Sequence, residues 1–294
     1  MTLRALLAAA LVAALPAAHA APQTIDELLK ASPAGDWRPL DPRDTLYLEL
    51  PAGRVVIELA PAFAPHAVDA IRKLVKAGYF DGAAVMRSQD NYVVQWGRDE
   101  NDEKAKAQAA VKLAAEFDRP IAGMPSFTRL ADPDTYAPEV GFAGGFPVAR
   151  DPSRKLAWLA HCYGMVGVGR DNATDSGNGS ELYAVIGQSP RNLDRNVTLV
   201  GHVVQGMEIF SVIPRGPAPM GFYAKPEQWV PIRKAVMAAD LPEGDRLPLE
   251  ALRTDSATFK DVVENRRARK EAWYANPVGH IGVCNVPLPV RVKG

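Results

Sequence analysis

Apolar and polar residues alternate most clearly in two neighbouring runs. Thr45–Leu50 puts Leu46, Leu48 and Leu50 on one face, and Arg54–Leu59 does the same with Val55, Ile57 and Leu59. The turn residues Pro51-Ala52-Gly53 lie between them, so the pattern predicts a β-hairpin. From Pro65 to Ala77 the period lengthens. Ala67, Val68, Ile71, Leu74 and Val75 form one helical stripe, with Pro65 suited to the first turn and Gly78 to the stop. Further strands are expected at Ala83–Arg87, Asn91–Gln95, Leu159–Val168, Glu181–Ile186 and Thr198–Val204, with a short helix at Gly206–Val212. Strand alternation puts Val85 and Arg87 on one face, and Val93 and Gln95 likewise on one face.

The flanks are less regular. Residues 21–43 form a polar lead-in in which Thr24 can cap a short helix through Leu29. Residues 101–158 pass from a charged, alanine-rich segment to a Gly/Pro-rich one without a clear period, and are read as an insertion. Beyond Pro214, a strand is expected at Arg233–Ala239 and a charged helix at Ser256–Tyr274. The apolar, proline-containing end Ile281–Val292 follows. The expected organisation is therefore a core over 44–214, interrupted at about 101–158, and a C-terminal extension over 215–294 packed on it.

The first twenty residues read as an address. Arg4 precedes an apolar run from Ala5 to Leu15, and Ala18-His19-Ala20 has the small-x-small form of a cleavage site. The run is too short to span a bilayer, and no later stretch is apolar enough to do so. Removal of 1–20 would leave a periplasmic or secreted chain without a membrane span. The only two cysteines, Cys162 and Cys284, would then meet an oxidising compartment and are expected to pair.

Composition narrows the partners. A hydrophobic share of 47% with 23% charged residues is that of a folded chain rather than a disordered one. Lys+Arg 34 balances Asp+Glu 34, so there is no global basic field, and nucleic acid is not expected as a partner. The histidines are scattered without metal-ligand spacing, so no metal site is expected. His161 and Cys162, read as adjacent strand residues, would point to opposite faces and not form a thiol dyad.

Five stretches in order carry a resemblance. They are RVVIELAPAFAPHAVDAIRKLVKAGYFDG (54–82), VMRSQDNYVVQWG (85–97), HCYGMVGVGR (161–170), GNGSELYAVIG (177–187) and NLDRNVTLVGHVVQGMEIF (192–210). Over roughly Thr45–Pro214 the chain resembles the cyclophilin family of peptidyl-prolyl isomerases. The resemblance implies a mainly β fold: a closed eight-stranded antiparallel β-barrel capped by helices. It also implies cis–trans isomerisation of X-Pro bonds in proline-containing polypeptides, without a cofactor. Arg87 falls on the family's catalytic arginine and Gln95 on its substrate-binding glutamine. Tyr92, Val93, Tyr183 and Leu193 fall on the proline pocket, and Gly167 and Val168 on the pair that binds substrate backbone. Glu181 stands where the family usually has glutamine, Asn192 where many members have tryptophan, Val197 or a neighbour where a histidine often closes the pocket, and Trp96 where the first of two glycines is usual. These departures leave a second reading open, a catalytically weak module that binds proline peptides or a partner on the same barrel.

Overall fold

The computed structural model describes residues 23–293, so the expected signal peptide lies outside the described residues. Helix α1 (Ile25–Ala31) begins at Thr24, whose side chain accepts from the Glu27 N–H while the Glu27 carboxylate accepts from the Thr24 N–H. This reciprocal cap satisfies two donors that a helix start leaves free. Strand β1 (Trp37–Pro39) follows. Strands β2 (Thr45–Leu50) and β3 (Gly53–Leu59) form the expected hairpin. Helix α2 (Pro65–Lys76) buries the expected stripe. Its first turn is satisfied from a distance: the Glu116 carboxylate accepts from the His66 and Ala67 N–H groups at 3.1 and 2.9 Å. Strands β4 (Ala84–Ser88) and β5 (Val93–Gly97) come next.

The insertion is more ordered than its sequence suggests. After helix α3 (Glu103–Gln108) come β6 (Arg119–Pro120), β7 (Phe127–Arg129), β8 (Glu139–Ala143), β9 (Phe146–Asp151) and β10 (Leu156–Leu159). They form an antiparallel sheet of their own, in the order β6-β10-β9-β8-β7. Strands this short, divided by glycine and proline, carry too few alternations to register as a period.

The single strand expected at 159–168 is divided. It becomes the end of β10 and β11 (Met165–Val168), because the chain turns between them at Gly164, which holds φ +79°. Strands β12 (Leu182–Val185) and β13 (Leu199–Gln205) and helix α4 (Met207–Ser211) match their expected places. The remaining elements are β14 (Val230–Pro231), β15 (Lys234–Met237), β16 (Leu249–Leu252), α5 (Ala257–Ala268) and β17 (Val290–Val292). Helix α5 is shorter than the expected 256–274. It starts at the Ser256 cap and stops at Arg269, which adopts a left-handed conformation.

The main sheet is antiparallel and has nine strands, not the eight expected, in the order β14-β4-β5-β12-β11-β13-β3-β2-β15. Its two end strands lie beyond residue 214, where the sequence pattern put the end of the core, and only Ile232 and Arg233 separate them. The Ile232 N–H donates to the Ala83 carbonyl beside β4 at 2.7 Å, and the Arg233 N–H donates to the Glu49 carbonyl of β2 at 2.8 Å. One short segment is thus bonded to both ends of a curled sheet.

The strands are buried on both faces. Inside the curl, Leu46, Leu48, Val55, Ile57, Val85, Trp96 and Leu182 form the first core. A second core lies outside it, where Phe142, Phe146 and Trp158 of the insertion meet Met165, Leu199, and Phe259 and Val262 of α5. The lead-in is tied in by charge. Arg38 donates two hydrogen bonds to buried Glu58 at 2.6 and 2.9 Å, and His202 Nε2 lies 3.2 Å from the same carboxylate. Burial pushes the Glu58 carboxyl up, but the His202 hydrogen bond and the Arg38 pairing outweigh it and hold the group below its ordinary value. No helix among the described residues is long and apolar enough to cross a membrane.

Cys162 and Cys284 form the expected disulfide, with Cα atoms 4.9 Å apart across a separation of 122 residues. It fastens the C-terminal tail to the turn before β11. Opening so long a loop in the unfolded chain sets an upper estimate of about 4–5 kcal/mol for its contribution. Reduction, or the pair Cys162→Ser with Cys284→Ser, is expected to lower the denaturant midpoint accordingly. Equal midpoints for oxidised and verified reduced protein would contradict this.

Candidate active site

Arg87 reaches its place through an irregularity in the sheet. Val85 pairs with Trp96, but Arg87 pairs with Gln95, so β4 advances two residues while β5 advances one. This bulge at Met86 overturns the expected common face. Val85 and Trp96 point into the barrel core, whereas Arg87 and Gln95 point into a cleft on the other face. Trp96, where glycine is usual, stacks on Phe210 inside the barrel at 5.3 Å.

The guanidinium is held on three sides. Arg87 Nε donates to the Met220 carbonyl at 2.7 Å, Nη1 donates to Gln95 Oε1 at 3.0 Å, and Nη2 donates to Gln89 Oε1. Arginine carries five N–H groups, so among the described residues two remain without a partner and can meet a ligand. The Phe222 and Tyr92 rings lie 4.9 and 5.6 Å from the guanidinium carbon. Burial pulls the Arg87 pKa down, with a smaller opposing pull from Tyr92, but a guanidinium stays charged at any physiological pH.

Gln95 is fixed at both ends of its amide. Its oxygen accepts from Arg87, and its Nε2 donates to Glu181 Oε2 at 2.8 Å. Burial pushes the Glu181 carboxyl above its ordinary value, against the pull of that hydrogen bond. Beside this polar wall, Val93, Tyr183 and Val185 form a small apolar cluster joined by Tyr92 and Val197. Polar wall and apolar cup share one open cleft of about 740 Å³, which Leu193, Val168, Met220 and Phe222 also line.

A family model for cyclophilin type peptidyl-prolyl cis-trans isomerases matches residues 45–237, more than half of the chain. The chain belongs to the cyclophilin family. It is 28% identical over 201 residues to a probable peptidyl-prolyl cis-trans isomerase of Brucella suis, covering 68% of this chain and 85% of that one. The corresponding Brucella abortus protein gives the same identity and coverage. Among solved structures it is similar to the cyclophilin AquaCyp293 from Hirschia baltica. There the TM-score is 0.68 and the identity 25%, over 92% of this chain and 99% of that one. That likeness reaches well beyond 45–237, into the flanking parts of the chain.

In this cyclophilin the cleft gathers Arg87, Tyr92, Val93, Gln95, Val168, Glu181, Tyr183 and Leu193. Gly167 stands apart. It pairs with Tyr183 across the sheet, and a Cβ there would run into the tyrosine ring, so its place is under the cup rather than on the cleft wall. Gly169, Arg170 and Asp171 line the wall instead. Sequence reasoning missed Gln89, Met220 and Phe222. The last two lie past residue 214, on a segment laid against β4: the Ser88 N–H donates to the Gly221 carbonyl, and the Tyr223 N–H to that of Met86, at 2.9 and 3.0 Å. Gly221 holds φ +74° and leaves no room for a side chain against Gln89. A Gly between Met and an aromatic so near the core boundary was the available signal.

The raised Glu181 pKa has a signed consequence. The folded state favours the protonated carboxyl, so the stability it contributes is full below about pH 4 and is lost as pH rises through the raised value. Glu181→Gln removes that loss. The variant is expected to gain stability relative to the parent between about pH 4 and pH 7, read from denaturation midpoints. A difference that does not change with pH would refute the assignment.

Proposed function

We propose that this cyclophilin isomerises X-Pro bonds of exported polypeptides, with Arg87 as the catalytic residue. The barrier of about 18–20 kcal/mol is amide resonance. A donor that bonds the prolyl nitrogen as it becomes pyramidal weakens that resonance, and no cofactor or nucleophile is called for. The observation that carries the reading is a charged guanidinium with two free N–H groups, fixed by Gln95, Gln89 and Met220 at the edge of an apolar cup. The cup of Tyr92, Val93, Tyr183 and Leu193 suits a prolyl ring, and Gln95 suits a substrate carbonyl. Binding then favours the twisted amide over the planar one.

Export is supported by the N-terminal pattern and by the Cys162–Cys284 disulfide. In the same reading the barrel runs from 44 to 237. Residues 230–237 serve as one divided eighth strand that closes it, leaving no exposed edge. The extension then begins after Met237 rather than at residue 215.

Arg87→Ala is expected to lower turnover on an X-Pro peptide by about 10²–10³-fold while leaving the fold intact. An unchanged rate would remove Arg87 from the mechanism. The acid at 181 in place of the usual glutamine favours a second reading, binding with weak turnover. Peptide binding by the parent without measurable isomerisation would establish that one instead.

A further inference from the structure

Tyr183 stands in the cup where a phenylalanine would need no partner, and its hydroxyl is not wasted. The hydroxyl lies 3.0 Å from Nε2 of His161, which is wholly buried. His161 Nδ1 lies 3.1 Å from Asp194 Oδ1, and the His161 backbone N–H donates to the same oxygen at 3.0 Å. The other Asp194 oxygen accepts from Trp158 Nε1 at 3.2 Å and from Arg191 Nε at 2.6 Å. Arg191 then reaches back into the insertion, donating to both oxygens of Asp134 at 3.0 and 3.1 Å. Asp134 is fixed in turn by the Tyr136 and Ala137 N–H groups at 2.8 and 3.0 Å.

The donor order along this chain follows from chemistry. A carboxylate only accepts, so Asp194 accepts a hydrogen bond from His161 Nδ1–H. In the neutral ring Nε2 is then the bare nitrogen, to which Tyr183 donates its O–H. The hydroxyl is thereby turned away from the cleft, and only the ring faces a ligand. Gly167, opposite Tyr183, leaves the space in which the phenol lies. Asp194 is kept an acceptor by its partners: burial pushes its carboxyl up, but the His161 hydrogen bond and the Arg191 charge outweigh this.

We propose that His161, Asp194 and Asp134 are positioning residues that hold Tyr183 as an apolar wall of the prolyl pocket, so that the insertion helps to set substrate affinity. The proposal rests on the cleft being the prolyl site. It predicts a particular imbalance. With His161→Leu, the Tyr183 hydroxyl loses its only partner among the described residues and competes for the cup. KM for an X-Pro peptide is expected to rise about tenfold, the scale of one unsatisfied buried polar group, with kcat changed by less than about twofold. Adding Tyr183→Phe removes the stranded hydroxyl, so the double variant is expected to return to the KM of Tyr183→Phe alone. A purely structural role for His161 would give no such rescue. Asp134→Ala, at the far end of the chain, is expected to raise KM in the same direction by a smaller factor.

The test combines these kinetics with the ring nitrogens of His161, observed by ¹H–¹⁵N correlation in the unmodified mature protein. A neutral ring protonated at Nδ1, together with rescue in the double variant, supports the proposal. A ring protonated at Nε2, or a double variant no better than His161→Leu, overturns it. Should His161→Leu fail to fold, the nitrogen assignment and the KM of Asp134→Ala decide, and an unchanged KM counts against the proposal. The spectrum needs no activity, so an inactive parent would count against the isomerase reading and leave the positioning claim to be judged by the spectrum alone.

Discussion

The site depends on one extra residue in one strand. Strand β4 must supply Val85 to an apolar interior and Arg87 to a solvent-facing cleft, and simple alternation would send both side chains the same way. Burying an unpaired guanidinium inside the barrel would cost several kcal/mol. The bulge at Met86 avoids that cost by reversing the face between the two residues. Everything around Arg87 then follows from its new position. Gln95 comes opposite it, Gln89 and the Met220 carbonyl take two of its donors, and the Phe222 ring comes beside it.

A second layer with its own core lies outside the curled sheet. The five short strands of the insertion, α1, α5 and the C-terminal tail cover an outer face of the barrel that would otherwise expose Met165 and Leu199. That layer is fastened to the main sheet and α2 by the disulfide, the Arg38–Glu58 pair and Glu116, and within itself by Asp132 with Arg267 at 2.6 Å. One of its fastenings, Asp134 with Arg191, also leads to the cup. Packing and pocket geometry are therefore joined through buried charge, which is costly to leave unpaired and so fixes its neighbours closely.

What was legible in the sequence was what depends on local pattern. The β2–β3 hairpin and the α2 stripe come from periodicity, and both are as expected. Arg87 and Gln95 come from a motif that resembles a known family, and the cleft brings them together. The bulge was not legible, because it breaks the alternation that strand reading relies on. The insertion sheet was not, because its strands of two to six residues are shorter than the window that reveals a period. At the ends of the main sheet only β15 was legible, within the strand expected at Arg233–Ala239; the two residues of β14 are too few to show a period. The chain from Asp134 to Tyr183 could not be read at all. Its members lie far apart in sequence, Arg191 and Asp134 being 57 residues apart, and only the fold brings them within hydrogen-bonding distance.

The central claim is that the bulged Arg87 and the cup of Tyr92, Val93, Tyr183 and Leu193 form one prolyl site. A crystal structure of the protein with a short X-Pro peptide tests it most directly. The account predicts the prolyl ring seated in that cup, with an Arg87 N–H directed at the X-Pro amide and Gln95 at a substrate carbonyl. A peptide bound elsewhere, for instance in the cavity beside Cys162 and Cys284, with the cleft empty, would contradict it.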